Sequence, residues 1–183
     1  MALLNSEKIR LGQPVKNFNL PSVDGKTYTL ESFKGSPVLV VMFICNHCPY
    51  VKAVEDRLIR LNAEYVKKGV QFVGICSNDY TDYPDDSPQN LFQRWAEKKY
   101  GFPYLIDTEQ SVARAFGAVC TPDIFVYDSG RKLVYHGRID DSWKEPSQVE
   151  RHELREALDA LLAGTKPEVS QHPSMGCSIK WKK

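Results

Sequence analysis

The apolar run from Val38 to Ile44 ends directly on Cys45-Asn46-His47-Cys48-Pro49. A continuous β-branched and aromatic stretch without polar alternation suits a strand buried on both faces, so it calls for a sheet with cover on each side. Helical spacing begins at once after it. Val51, Val54, Leu58, Leu61 and Tyr65 recur every three or four positions, one apolar stripe on a helix from Pro49 to about Lys67. Pro49 is tolerated in the first turn, and Gly69 ends the helix. Cys45 and Cys48 therefore sit at a strand-to-helix junction, spaced to close a disulfide across one helical turn. Backbone N–H groups at a helix start favour negative charge, so a thiolate there is stabilised.

The rest of the chain continues the alternation. Phe18 to Leu20 and Thr27 to Leu30 flank Asp24-Gly25, a hairpin signal near the N-terminus. Residues 1 to 16 read as an extended arm, and Glu31 to Lys34 as a short helical turn stopped by Gly35. Val70 to Cys76 is a second buried strand, and the polar stretch Ser77 to Pro88 reads as a mobile loop. Helices are expected over Gln89 to Tyr100, Glu109 to Phe116 and Ser147 to Ala163, the last with Val149, Leu154, Leu158, Leu161 and Leu162 facing in. Strands are expected at Tyr104 to Ile106, Ile124 to Tyr127 and Leu133 to Gly137, the last two joined at Asp128-Ser129-Gly130. This order describes an α/β sandwich with a central mixed sheet, its reactive turn at the C-terminal end of a parallel strand. One domain over 1–183 is expected, with a core of about 12–163 and an irregular tail over 164–183.

Composition narrows the function. The 183 residues carry 42% hydrophobic and 26% charged residues and a net charge of +1, ordinary for a globular protein and without the charge runs of a nucleic-acid or membrane-surface binder. No apolar run approaches the roughly 20 residues of a membrane helix, and the start has no basic segment leading into an apolar one. The expected setting is therefore cytoplasmic. There, five cysteines (Cys45, Cys48, Cys76, Cys120 and Cys177) do not form a structural disulfide framework. A C-x-x-C in such a chain reads as redox or metal-binding. It is also half of a zinc site that the remaining thiols and His172 could complete, which leaves a zinc-binding or non-catalytic module as an alternative; no second C-x-x-C or histidine pair stands at metal spacing, and no metal is expected.

The segments FICNHCPYV at 43–51, VGICSND at 73–79 and CTPDIFVYDSG at 120–130 resemble the redoxin branch of the thioredoxin-like superfamily. That branch unites alkyl hydroperoxide reductase and thiol-specific antioxidant proteins with bacterial thiol–disulfide oxidoreductases. The CNHCPY core and the tail MGCSIKW are similar to a subgroup described as thiol–disulfide isomerases. The resemblance implies a three-layer thioredoxin-like sandwich with an N-terminal β-hairpin extension. It implies Cys45 as exposed attacking thiolate, Cys48 as resolving thiol, and a redox-active disulfide in place of any cofactor. It also implies a cis peptide at Thr121-Pro122, packed against the C-x-x-C, with neighbouring backbone that pairs with a substrate chain. Partners would be protein or small-molecule disulfides and a reductant such as thioredoxin or glutathione, with the chain a monomer or homodimer. A peroxiredoxin-type alternative makes Cys48 the peroxidatic cysteine of a Thr-x-x-Cys turn. Cys45 then replaces the threonine and Pro122 takes the place of an arginine, for which Arg114 or Arg138 would have to substitute.

Several further residues are candidate modulators. His47, if charged, would lower the Cys45 pKa and make the couple more oxidising; otherwise it is a solvated turn residue. Asp79, after the second strand, could assist proton transfer or cap its loop. Cys120 is a third redox thiol or, more simply, a small buried hydrophobe, and Cys76 reads as core. Cys177 is either a resolving thiol or a tail residue that packs back on the domain.

Overall fold

The computed structural model describes residues 3–167 and 171–183. In chain order its strands and helices are β1 (Leu3–Asn5), β2 (Asn19–Pro21), β3 (Thr27–Thr29), β4 (Val38–Phe43), α1 (Pro49–Tyr65), β5 (Val70–Cys76), α2 (Pro88–Lys98) and β6 (Tyr104–Ile106). There follow α3 (Ser111–Phe116), β7 (Cys120–Thr121), β8 (Asp123–Tyr127), β9 (Leu133–Gly137), α4 (Glu153–Leu162) and β10 (Met175–Ser178). The main sheet runs β6-β5-β4-β8-β9. β4 pairs in parallel with β5 and β5 with β6, whereas β8 lies antiparallel to β4 and to β9.

β4 lies at the centre because both of its faces are apolar. Val38, Val40 and Met42 pack with Val51, Val54 and Leu58 of α1 and Leu154 and Leu158 of α4, with Leu91 of α2 in the same cluster. Leu39, Val41 and Phe43 point the other way, towards Val112, Ala113 and Phe116 of α3, Phe18, Phe33 and, from the C-terminal segment, Ile179. Burying each of these side chains contributes about 1.5–3 kcal/mol. The three layers are therefore α1, α2 and α4; the sheet; and α3 with the N-terminal hairpin of β2 and β3 and the end of the chain. Glu55 of α1 ties the first layer together, accepting Arg94 Nε and Nη2 of α2 at 2.7 Å each and the Tyr100 hydroxyl at 2.5 Å. Among the described residues, no helix is long and apolar enough to cross a membrane.

Five expectations need correction. The tail is not irregular: Met175–Ser178 forms β10, which pairs antiparallel with β1 on one side and β7 on the other. The same pairing turns part of the expected arm into β1. The loop after β5 is not a loose excursion, because Pro84–Asp86 forms a 3-10 turn and Asp86 is buried. The last helix begins only at Glu153, because Pro146–Gln148 forms its own 3-10 turn and leaves Val149 extended. Gln110 adopts a left-handed φ of 58° and so delays α3 to Ser111.

Candidate active site

β4 delivers Cys45 past its last ladder residue, and Cys48 is the N-cap of α1 with extended backbone, followed by Pro49 at the first helical position. Both cysteines are buried, 1% and 0% exposed. The Thr121–Pro122 peptide, between β7 and β8, is cis, as the resemblance implied, and Thr121 touches both thiols. Cys45 Sγ lies 3.3 Å from Thr121 Oγ1, and Cys48 Sγ lies 3.1 Å from the Thr121 carbonyl oxygen.

The surroundings push the two thiols in opposite directions. A hydrogen bond from Cys45 is the largest influence on Cys48, and it outweighs burial. With a further hydrogen bond from Cys177 and backbone N–H groups of Val51 and Cys177, it brings the Cys48 pKa down to about 5. Burial pushes Cys45 well above the ordinary thiol range, and its hydrogen bond to Cys48 and the negative charge of Asp86 push the same way. Both directions favour a thiolate at Cys48 over one at Cys45. The Thr121 carbonyl accepts from Cys48 only while that thiol keeps its proton, so it opposes ionisation; the surrounding donors outnumber it. Cys45 is buried rather than exposed as expected. The β4 exit places that sulfur beneath the Thr121 loop and near a carboxylate, whereas the helix start serves Cys48.

The carboxylate that meets the motif is Asp86, which sequence reasoning did not single out. Its Oδ1 accepts the backbone N–H of Asn46 at 2.6 Å and of His47 at 3.2 Å. Its Oδ2 lies 2.5 Å from His47 Nδ1 and accepts Asn78 Nδ2 at 2.8 Å. Asn46 Nδ2 donates to the carbonyls of Asp85 and Asn90, which fixes the same loop to the motif. His47 is accordingly not a solvated turn residue: its side chain is 10% exposed and its ring stacks on Tyr83 at 5.0 Å. Asp79 caps its loop, accepting the Thr81 N–H at 3.0 Å. The signal for Asp86 in the sequence was only a Pro84-Asp85-Asp86 turn, and its distance along the chain from the motif hid the contact.

Of the other thiols, Cys76 and Cys120 are buried and pushed up by that burial. Cys120 Sγ lies 3.9 Å from the Pro122 carbonyl oxygen. Cys177 differs from both. It stands opposite Thr121 in the β10–β7 register, shares a buried cluster with Cys48, and is pushed up to about 12, by burial first and then by Cys48. Cys45, His47 and Asp86 bring a thiol, an imidazole nitrogen and a carboxylate oxygen within 4.8 Å of one another, donors that zinc accepts. The Asp86 oxygens already serve four protein donors there.

Comparisons with known proteins bear on the family and the fold. A chloroplastic peroxiredoxin Q of Populus jackii is 28% identical over 159 residues, covering 84% of this chain and 68% of that protein. The chain thus spans about two thirds of the length of that relative. An uncharacterized conserved protein of Geobacillus kaustophilus superposes with a TM-score of 0.95 at 46% identity, over 100% of this chain and 97% of that one. The thioredoxin domain of a thiol-disulfide oxidoreductase from Bacteroides vulgatus superposes with a TM-score of 0.60 at 17% identity, over 70% of this chain and 89% of that one, so the fold is thioredoxin-like. A family model described as AhpC/TSA matches residues 11–136, from the N-terminal arm to β9. This span contains the Cys45–Cys48 junction, Asp86 and the cis-proline loop, and the chain belongs to the AhpC/TSA family.

Proposed function

We propose that this redox enzyme is a dithiol–disulfide oxidoreductase that cycles through a Cys45–Cys48 disulfide. The observation that carries the reading is that Thr121 of the cis-proline loop meets both thiols, Cys45 Sγ through its Oγ1 and Cys48 Sγ through its carbonyl oxygen, at a junction that favours a thiolate at Cys48. The Cys48 thiolate attacks one sulfur of a substrate disulfide. The substrate S–S bond breaks, one substrate thiolate leaves and takes up a proton, and a mixed disulfide forms on Cys48. That step removes the charge that Cys45 had been bonded to. Cys45 then gives up its proton to the second leaving thiolate and attacks Cys48 Sγ, which closes the Cys45–Cys48 disulfide. Two electrons pass to the substrate, and the redox-active disulfide is the only cofactor required. A cytoplasmic thiol reductant such as thioredoxin or glutathione would reopen it. Asp86 and His47 hold the junction backbone between the two sulfurs.

A second reading is a thiol peroxidase, favoured by the same acidic Cys48 and by the peroxiredoxin Q relative. Peroxide would oxidise the Cys48 thiolate to a sulfenic acid, which Cys45 would condense with, releasing water. The two arginines considered for a peroxide-polarising role are engaged elsewhere. Arg138 Nη2 donates to Glu153 at 2.6 Å, and the Arg114 guanidinium stacks on Trp181 at 4.3 Å. This weighs against the peroxidase.

Stopped-flow oxidation of the reduced protein separates the two. Equal concentrations of hydrogen peroxide and hydroxyethyl disulfide are compared. The oxidoreductase reading expects the disulfide to react faster, Cys48→Ser to abolish that reaction, and Cys45→Ser to stop short of the Cys45–Cys48 bond. Faster peroxide reaction would overturn it in favour of the peroxidase.

A further inference from the structure

We propose that Cys177 is a third redox thiol, which exchanges into a Cys48–Cys177 disulfide from the strand that the chain lays along its own cis-proline loop. The proposal rests on Cys48 being the reactive sulfur, as argued above, but adds a partner that the C-x-x-C reading does not need.

Three observations support it. First, Cys48 shares one buried cluster with two thiols on different elements, Cys45 at the exit of β4 and Cys177 on β10, and both bear on its acidity. Cys120 is also buried, but its sulfur meets the Pro122 carbonyl. Second, β10 occupies the open edge of β7 immediately before Pro122, with Cys177 opposite Thr121 and Ser178 opposite Cys120. The Thr121 carbonyl that meets Cys48 Sγ therefore belongs to the residue paired with Cys177. A strand lying here with a cysteine facing Cys48 has the geometry of a bound thiol substrate. Third, the seat is built for close approach. A Cβ on Gly176 would fall on the Thr121 carbonyl, so glycine is the residue that lets the strand lie this near. The segment is secured at both ends: Ser6 N–H donates to the Ser174 carbonyl at 2.8 Å, and Lys180 N–H donates to Asn78 Oδ1 at 2.8 Å.

The exchange balances without an added oxidant once Cys48 holds a disulfide. Cys177 loses its proton to the departing thiolate and attacks Cys48 Sγ. The bond from Cys48 to Cys45, or to a substrate sulfur, breaks as the Cys48–Cys177 bond forms. Starting from dithiol protein, an organic disulfide is the two-electron acceptor.

The test is disulfide mapping. Reduced Cys45→Ser protein is treated with hydroxyethyl disulfide, quenched in acid, digested and read by mass spectrometry. The expected product is Cys48 joined to Cys177. Adding Cys177→Ser should lengthen the life of the Cys48 mixed disulfide by about a hundredfold, the effect of losing a pre-positioned thiol. A persistent mixed disulfide on Cys48 with Cys177 intact would overturn the proposal while leaving the Cys48 chemistry standing. No mixed disulfide on Cys48 in either variant would overturn the underlying reading as well. Should Cys45→Ser not fold, an acid-quenched time course on the wild-type chain decides. A Cys48–Cys177 peptide supports the proposal, and Cys45–Cys48 alone throughout overturns it.

Discussion

Two cysteines separated by two residues receive opposite chemistry from their backbones. Cys48 caps α1 and gathers donors, whereas Cys45 lies under Thr121 with the Asp86 carboxylate near it. The consequence is a titration that belongs to one sulfur. Thiolate ultraviolet absorbance of the reduced protein should rise with a midpoint near pH 5. Cys48→Ala should remove that step. Cys45→Ala removes the largest contributor to the acidity and should move the midpoint up by about 1–2 pH units. A single step near the ordinary thiol value in the wild-type chain would show that the donors around Cys48 do not hold a charge. Asp86 is the other decisive residue. Its buried oxygens accept from Asn46, His47 and Asn78, so Asp86→Ala leaves several buried donors unmet and should cost about 3 kcal/mol in a denaturant melt. Asp86→Asn retains acceptor capacity and should cost less.

The elements that the sequence made legible are those that carry their own pattern. β4 is readable because its apolar run is uninterrupted, and α1 because its buried stripe has helical period and its ends carry Pro49 and Gly69. The cis-proline loop followed from likeness to a known motif rather than from any local property. β10 was not readable. Met175-Gly176-Cys177-Ser178 has neither alternation nor a β-branched run, and it is a strand only because β1 and β7 offer edges on both sides. Asp86 was missed for a related reason: its role arises from contact with a junction far back in the chain. The dependence of β10 on its partners makes an experiment at this scale. Gly176→Val would drive a side chain into the Thr121 carbonyl and lift the strand. Reaction of Cys48 with a small alkylating reagent should then quicken by about tenfold, the effect of cheapening local opening by about 1.4 kcal/mol. An unchanged rate would mean that access to Cys48 does not pass through β10.

For the whole molecule, the Cys48 charge links redox state to stability. A Cys45–Cys48 disulfide closes a very short loop, and by chain entropy this favours the oxidised protein by about 2 kcal/mol. The reduced protein has a competing advantage. A thiol whose folded pKa is depressed from 9.0 to about 5 contributes stability fully present above the unfolded value and lost as pH falls through the folded one. At about pH 7 that advantage is about 3 kcal/mol, and at about pH 5 it is gone. Cys45 does not offset it in this window, because its thiol is protonated in both folded and unfolded chains. The two terms therefore cross between these pH values. Above the crossing the reduced form should melt at the higher temperature, and below it the oxidised form should. The same balance should make the couple more oxidising than it would be with an unshifted Cys48 thiol. Paired thermal melts with and without a phosphine reductant, repeated from pH 5 to pH 8, check the sign. An oxidised form that stays the more stable across the whole range would mean that the Cys48 charge is not stabilised by the fold.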